Sequence, residues 1–461
     1  GFDIMMGNPP YVRQEKIAPP QMHEEDFKPD AWREKKKEYK AQLQQAVAEA
    51  FPKFFEYKHG SDKFRKLDGK SDLYIYFYLL GLKRLNAKGS FCFITSNSWL
   101  DVGYGKDLQE FLLTQSHVKM ILDNQAKRSF KQAQVNTVIA LLAPPTLTKS
   151  GSAEKTARFV MFRTPFENVL SPVVFQEIER AQERKSTPEY RATPIRQQDL
   201  LAEGMAIPED EEETQKRGLA TTKYEGSKWG GRYLRGPDIF FTIMEKKQSL
   251  CKFGELAEHI QRNNLQNLRH EVVLAREECP DGFPYLSSVK DVSTIRINPR
   301  RLPKVIDAKG QRSVRWLVPD VISNRFVAER LCFFEGGDFL ISDTFFIATL
   351  KREFRKKTVL ALLNSTLSLL MLEQLGRKNM GEGVLCIYGP ELSGQVLLHP
   401  RILRAEQATE LESRYDVVAT REIKKIFEEV KMPDRRALDK VVFDTLKLTR
   451  GEQDAVYEAL V

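Results

Sequence analysis

The chain opens with short apolar runs set between amphipathic stretches. Phe2-Asp3-Ile4-Met5-Met6 is apolar without clear alternation, which predicts a short strand buried on both faces. Gly7 ends it, and Asn8-Pro9-Pro10-Tyr11 follows as a stiff polar loop. Trp32 to Ala50, rich in Glu, Lys, Gln and Ala, predicts a helix. Ser71 stands as the expected N-cap of an apolar helix that continues through Leu82. Ser90 to Thr95 predicts a strand, Lys106 to Leu113 a helix, and Val118 to Leu122 and Thr137 to Leu142 two more strands. Helix and strand alternate, which is the pattern of a sheet covered on both faces.

Further on the pattern changes. Pro144 to Ala153 is a turn-rich break before an expected strand, Arg158 to Arg163, and an expected helix, Leu170 to Arg184. Glu209 to Glu213 is an acidic surface loop. From Trp229 to Pro400 short strands and turns dominate, with one long apolar helix expected over Leu360 to Leu375. Arg401 to Val461 is helical and amphipathic, and Pro433 opens its last segment. These shifts divide the chain at 1–165, 166–228 (a linking, partly helical connection), 229–400 and 401–461.

Composition narrows the class. The 461 residues are 41% hydrophobic and 29% charged, which suits an ordinary globular protein of two or three domains. No apolar run has the length of a membrane span. Cys92, Cys251, Cys279, Cys332 and Cys386 are far apart, and the six histidines form no H-x-x-x-H pair. This usage points to a reducing cytoplasm, with neither a metal site nor a disulfide framework. A net charge of +9 is permissive for nucleic acid.

Candidate chemistry sits in the first loop, because ligands of open α/β sheets lie beyond the carboxyl ends of strands. An exocyclic amine on an aromatic ring is a poor nucleophile, since its lone pair is shared with the ring. Two acceptors held out of the ring plane restore that density. The Asn8 side-chain oxygen and the Pro9 carbonyl are two such acceptors, one residue apart, on a loop stiffened by Pro10. Tyr11 supplies a flat face for a base that has left the duplex stack.

Asn8-Pro9-Pro10-Tyr11 resembles motif IV of amino-methyltransferases that use S-adenosylmethionine. It looks most like the gamma class of N6-adenine DNA methyltransferases, including those of type IIG restriction–modification and BREX phage-defence systems. The resemblance implies that Asn8 and Pro9 bind the target amine and that Tyr11 stacks on the flipped adenine. The order of elements from Asp72 to Leu142 resembles motifs V to VIII of that class. Phe130 then matches the aromatic on the other face of the base, and Phe77 a contact of the cofactor adenine. The residues alone read equally as a loop anchor at Phe130 and a core aromatic at Phe77.

Two features complete the expectation. Gamma-class enzymes carry a glycine-rich cofactor motif upstream of motif IV. Gly103-Tyr104-Gly105 lacks the third glycine and the acidic residue of such a loop, and Gly381-Glu382-Gly383 falls in another domain. The main cofactor pocket is therefore expected upstream of residue 1, on a missing N-terminal half. Arg262, Asn263 and Asn264, with Arg312, Arg315, Arg377 and Lys378, are residue types that pair with base edges or phosphates.

The region from Trp229 to Pro400 resembles the target-recognition domains of type IIG methyltransferases and type I specificity subunits, notably at Leu362-Leu363-Asn364-Ser365. The expected fold is α/β, a partial Rossmann-like methyltransferase sheet followed by a mixed α/β recognition domain and a C-terminal helical segment. The expected partners are double-stranded DNA and other defence-system subunits in a bacterial cytoplasm. The alternatives are a methyltransferase for protein glutamine or ribosomal RNA amines, and a DNA-binding module without catalysis.

Overall fold

The computed structural model describes the chain except residues 62, 102, 125–135, 146–153, 206–223, 265–271, 274–281, 308–315, 328–329, 376, 381–383, 388 and 461. It separates into two units, Gly1–Ala206 with Ala220–Arg235, and Ile207–Leu219 with Gly236–Val461.

Seven strands of the first unit form one mixed sheet: β1 (Phe2–Gly7), β2 (Leu85–Ser96), β3 (Val118–Asn124), β4 (Thr137–Leu142), β5 (Thr156–Phe162), β6 (Lys185–Ser186) and β7 (Tyr190–Arg196). Their order is β1-β2-β4-β3-β5-β7-β6. β1 runs parallel to β2, and β3 to β5, while the other neighbours are antiparallel. The mixed α/β class predicted by the alternation of elements is the one found.

Helix α1 (Pro29–Ala50) contains the predicted helix, with Pro29 in its first turn. Helix α2 (Leu73–Lys83) buries Tyr74, Ile75, Tyr76, Tyr78, Leu79 and Leu82. It comes close to the sheet because of Gly81, where a Cβ would lie 2.9 Å from the Phe91 ring. Helix α3 (Lys106–Gln115) buries Leu108, Phe111, Leu112 and Leu113. Across β3, β5 and β7 one core cluster gathers Met120, Leu122, Val160, Phe162, Tyr190 and Ala192, with Ile178 from helix Pro172–Arg180.

Three expectations change in this unit. β1 is an edge strand, and Phe2, Ile4 and Met6 are 56, 71 and 76% exposed. Its apolar run marks a face that no described residue covers. Ser71 is not the N-cap of α2; Asp72 holds that position, and Ser71 is buried with its hydroxyl lacking a hydrogen-bond partner among the described residues. The stretch 166–228, expected as a connection, contributes β6 and β7 to the sheet. Tyr190 to Arg196 alternates little, and its strand character comes from seven-residue pairing with β5.

The second unit is built from small sheets and helices. One four-stranded sheet places Val321–Asn324 and Phe345–Leu350 between Phe333–Glu335 and Ala257–Arg262. The long helix expected over Leu360–Leu375 is two helices, Lys356–Leu363 and Thr366–Leu375. The break falls at Asn364-Ser365, where the Asn364 N–H still bonds the Leu360 carbonyl at 3.0 Å while the side-chain amide reaches across to the Phe333 backbone. Its oxygen accepts from the Phe333 N–H at 3.0 Å and its nitrogen donates to the Phe333 carbonyl at 2.9 Å. Helices Ala405–Thr420, Pro433–Thr445 and Arg450–Glu458 close the unit, with Pro433 in the first turn of its helix.

Candidate active site

Gly7 ends β1 against β2, and a Cβ there would lie 3.2 Å from the Phe93 ring. The chain then leaves the sheet as Asn8-Pro9-Pro10-Tyr11. Pro9 is buried, Pro10 exposed and Tyr11 half-buried. Asn8 is exposed, and its side chain makes no hydrogen bond with any described residue. A free amide on a proline-stiffened loop at the carboxyl end of a strand is placed to bond a ligand.

Tyr11 is held from two sides. Its hydroxyl donates to the Ile94 carbonyl of β2 at 3.1 Å. Its ring meets Tyr74 edge-on, with centroids 6.4 Å apart and planes at 81°. Burial pushes the Tyr11 phenol up to about 12, so it remains a neutral hydrogen-bond donor.

The exit of the loop docks on the start of α2. The Leu73 N–H donates to the Val12 carbonyl at 3.0 Å, and the Gln14 N–H to the Asp72 carboxylate at 3.1 Å. The other Asp72 oxygen accepts from the Tyr104 hydroxyl at 2.8 Å. Tyr104 in turn lies 3.0 Å from the Tyr74 hydroxyl. Since the Tyr104 proton goes to Asp72, Tyr74 is the donor in that pair. Burial raises Asp72 above its ordinary value, against the lowering by Tyr104 and the Gln14 amide. Nothing in the residue pattern pointed to Tyr104 as part of this cluster; its flanking glycines invited comparison with a cofactor loop.

The remaining predicted residues fall in different places. Phe77, one turn beyond Leu73 on α2, is 42% exposed, so it is not a core aromatic. Phe130, Arg312 and Arg315 lie outside the described residues. Arg377 and Lys378 fall in strand Arg377–Met380, where only the backbone is described. Arg262 is at the end of Ala257–Arg262 and pairs with Asp343 at 2.9 Å near the surface.

Asn263 is buried with a φ of 52°, a turn conformation that Asn tolerates. Asn264 is fully buried, and its amide is fully engaged. The nitrogen donates to the Leu317 and Phe339 carbonyls at 2.9 and 2.8 Å, and the oxygen accepts from the Ile341 N–H at 2.8 Å. Its expected role at a base edge is therefore replaced by a core role. Arg355 and Lys357, near the start of helix Lys356–Leu363, pair with Glu412 and Asp416.

Among the described residues no group of three His, Cys, Asp or Glu could hold a metal ion, and no helix is long and apolar enough to cross a membrane.

Residues 1–130 match the Eco57I restriction-modification methylase family. That span contains the whole Asn8–Tyr11 loop, α2, Tyr104 and β3. No curated protein sequence matches the chain. Among solved structures, the chain is similar to the type IIG restriction endonuclease BpuSI, at 11% identity and a TM-score of 0.37, over 99% of this chain and 54% of that one. It is similar to the type IIL restriction-modification enzyme MmeI in complex with DNA, at 11% identity and a TM-score of 0.34, over 99% of this chain and 56% of that one. A type I methyltransferase subunit from Streptococcus thermophilus matches at 14% identity and a TM-score of 0.29, over 44% of this chain and 35% of that one. The chain thus spans about half the length of BpuSI and MmeI.

Proposed function

We propose that this chain is the catalytic and recognition part of a site-specific DNA methyltransferase that moves a methyl group from S-adenosylmethionine to N6 of a flipped adenine. The observation that carries the reading is the exposed Asn8 amide, without a hydrogen bond to any described residue, at the carboxyl end of β1 beside the anchored ring of Tyr11. The methylase-family match over residues 1–130 supports it.

Asn8, through its side-chain oxygen, and Pro9, through its carbonyl, accept hydrogen bonds from the target amine and localise its lone pair. Tyr11 stacks on one face of the base, a contact worth roughly 1–3 kcal/mol in single-strand readers, and Phe130 takes the other face. Alignment of the two reactants carries most of the rate, without a covalent intermediate. The cofactor, when bound, supplies an electrophilic methyl group. Phe77 fits it in part, as an exposed aromatic one turn from the loop's docking point. Gly103–Gly105 is a turn packed on Trp99 and does not serve as a glycine cradle.

The rest of the cofactor pocket is proposed to come from a further N-terminal segment of the same polypeptide, seated on β1. The exposed side chains of Phe2, Ile4 and Met6 on an edge strand support that, since such edges are ordinarily covered or charged. The second unit is proposed as the DNA reader, with Arg262, Arg312, Arg315, Arg377 and Lys378 among its contacts. The setting is a restriction–modification or BREX defence system, with its other subunits, in the bacterial cytoplasm.

The test is methyl transfer from radiolabelled S-adenosylmethionine to adenine-unmethylated genomic DNA by the full-length protein. Asn8→Ala should abolish transfer and leave DNA binding intact. Full activity in Asn8→Ala would refute the reading. Transfer to ribosomal RNA or to a protein glutamine, with none to DNA, would assign the loop to another substrate.

A further inference from the structure

We infer that Asp72 and Tyr104 are positioning residues that fasten the Asn8–Tyr11 loop and set the angle of the Tyr11 ring. The inference rests on reading that loop as the base pocket.

Asp72 sits at the N-cap of α2, where a carboxylate ordinarily accepts from the helix's own first amides. Its side chain makes no such cap bond. One oxygen takes the Gln14 N–H, three residues past Tyr11, and the other takes the Tyr104 hydroxyl. A helix that gives up its cap to hold a loop and a distant tyrosine gains order in the loop. The Val12 carbonyl, bonded to the Leu73 N–H, is a second fastening beside the first.

Tyr104 carries the constraint onward to the ring. It accepts from Tyr74, whose ring stands edge-on behind Tyr11. With the Tyr11 hydroxyl fixed to Ile94, the ring is held at its tip and by its T-shaped contact with Tyr74. A stacking face held this way is oriented before a base arrives, which removes part of the ordering cost of binding.

The Gly-Tyr-Gly sequence explains how Tyr104 gets there. A Cβ on Gly105 would lie 1.9 Å from the Trp99 carbonyl oxygen, so only glycine lets the chain pass. Trp99 is itself fully buried and packs on Tyr78 of α2. The turn Gly103–Gly105 is therefore tied to the core on one side and presents Tyr104 to Asp72 on the other.

The experiment compares Tyr104→Phe, Asp72→Ala and Asp72→Asn in the full-length protein by amide hydrogen exchange and by methyl-transfer kinetics. Tyr104→Phe keeps the ring and removes only the hydroxyl. Exchange at Gln14 and the neighbouring loop amides should speed up about tenfold in Tyr104→Phe and more in Asp72→Ala, with β3 unchanged. Asp72→Asn keeps an acceptor and should recover part of the protection. In the same variants kcat should fall while KM for the cofactor stays level. Unchanged exchange at Gln14 in both Tyr104→Phe and Asp72→Ala overturns the inference, and so does faster exchange with unaltered kcat. If the parent protein transfers no methyl group, the functional reading fails, and the exchange data still decide whether the fastening exists.

Discussion

Asp439 accepts two hydrogen bonds from Thr366, from its backbone N–H at 2.7 Å and from its hydroxyl at 2.6 Å. Thr366 is the first residue of helix Thr366–Leu375, and Asp439 belongs to helix Pro433–Thr445. A helix start is thus capped from another helix, 73 residues away in sequence. Arg435, one turn earlier on the same helix, bonds the Asn364 carbonyl. The break at Asn364-Ser365 and the closing helix therefore form one junction, which gives that helix the character of a brace.

Loss of this cap should be costly. Asp439→Ala leaves a buried N–H and a buried hydroxyl unsatisfied, so stability should drop by about 2–4 kcal/mol in urea unfolding. Asp439→Asn keeps an acceptor for the amide and should lose less. Equal stability of Asp439→Ala and the parent would contradict the cap.

Glu429 predicts an acid transition. Burial alone would raise its carboxyl, but hydrogen bonds from Arg421, the charge of Arg435 and the Lys424 amide outweigh it and lower the value to about 2. A group depressed in the folded state contributes stability above its unfolded value, near 4.5, and loses it as pH falls toward 2. The stake is on the order of 3 kcal/mol for such a shift. Stability of the parent should therefore fall steeply between pH 4.5 and 2. Glu429→Gln should start lower at neutral pH and show a shallower acid slope, measured by urea midpoints across that range.

Arg262 and Asn264 should respond in opposite ways, although they are two residues apart. Arg262→Ala removes an exposed pair with Asp343 and should change stability by less than about 1 kcal/mol. If Arg262 reads DNA, the same change weakens binding and its salt dependence. Asn264→Ala leaves two buried backbone groups and one partly buried one without this partner and should cost about 2–4 kcal/mol, with any binding defect following from misfolding. Thermal melts and DNA titrations on both variants separate the two roles.

The contrast shows what the residue pattern could and could not disclose. Strands such as Thr137–Leu142 and helices such as α1 were legible because their period reports one local geometry. The loop at Asn8–Tyr11 was legible because Gly7 and two consecutive prolines mark where the strand must end. Asn264 and Tyr104 were not, because their roles are set by partners 53 to 77 and 30 to 32 positions away. Exposure of β1 was misread for a related reason: an apolar strand signals a covered face but not which segment covers it.

Gly81→Ala tests how closely α2 must approach the sheet. Alanine gains up to ~1 kcal/mol of helix propensity over glycine. Its methyl would lie 2.9 Å from Phe91, a buried ring packed against Phe93 and Tyr78. Overpacking of that kind costs ~1–3 kcal/mol, so a net loss of about 1 kcal/mol is expected. A stabilised variant in urea unfolding would show that Phe91 can move.

Tyr11 separates the ring from the hydroxyl. Tyr11→Phe keeps the face proposed to stack on the base and loses the bond to Ile94, which should cost about 1 kcal/mol of stability and alter methyl transfer only a few-fold. Tyr11→Ala removes the face itself, and the roughly 1–3 kcal/mol of base stacking converts to a loss of about fivefold to 150-fold in kcat/KM. Because burial pushes the phenol up to about 12, its ionisation should leave no inflection in the rate below pH 10. Steady-state kinetics of both variants between pH 6 and 10 would decide the matter. Equal losses in Tyr11→Phe and Tyr11→Ala would assign the work to the hydroxyl, and the stacking role would have to be given up.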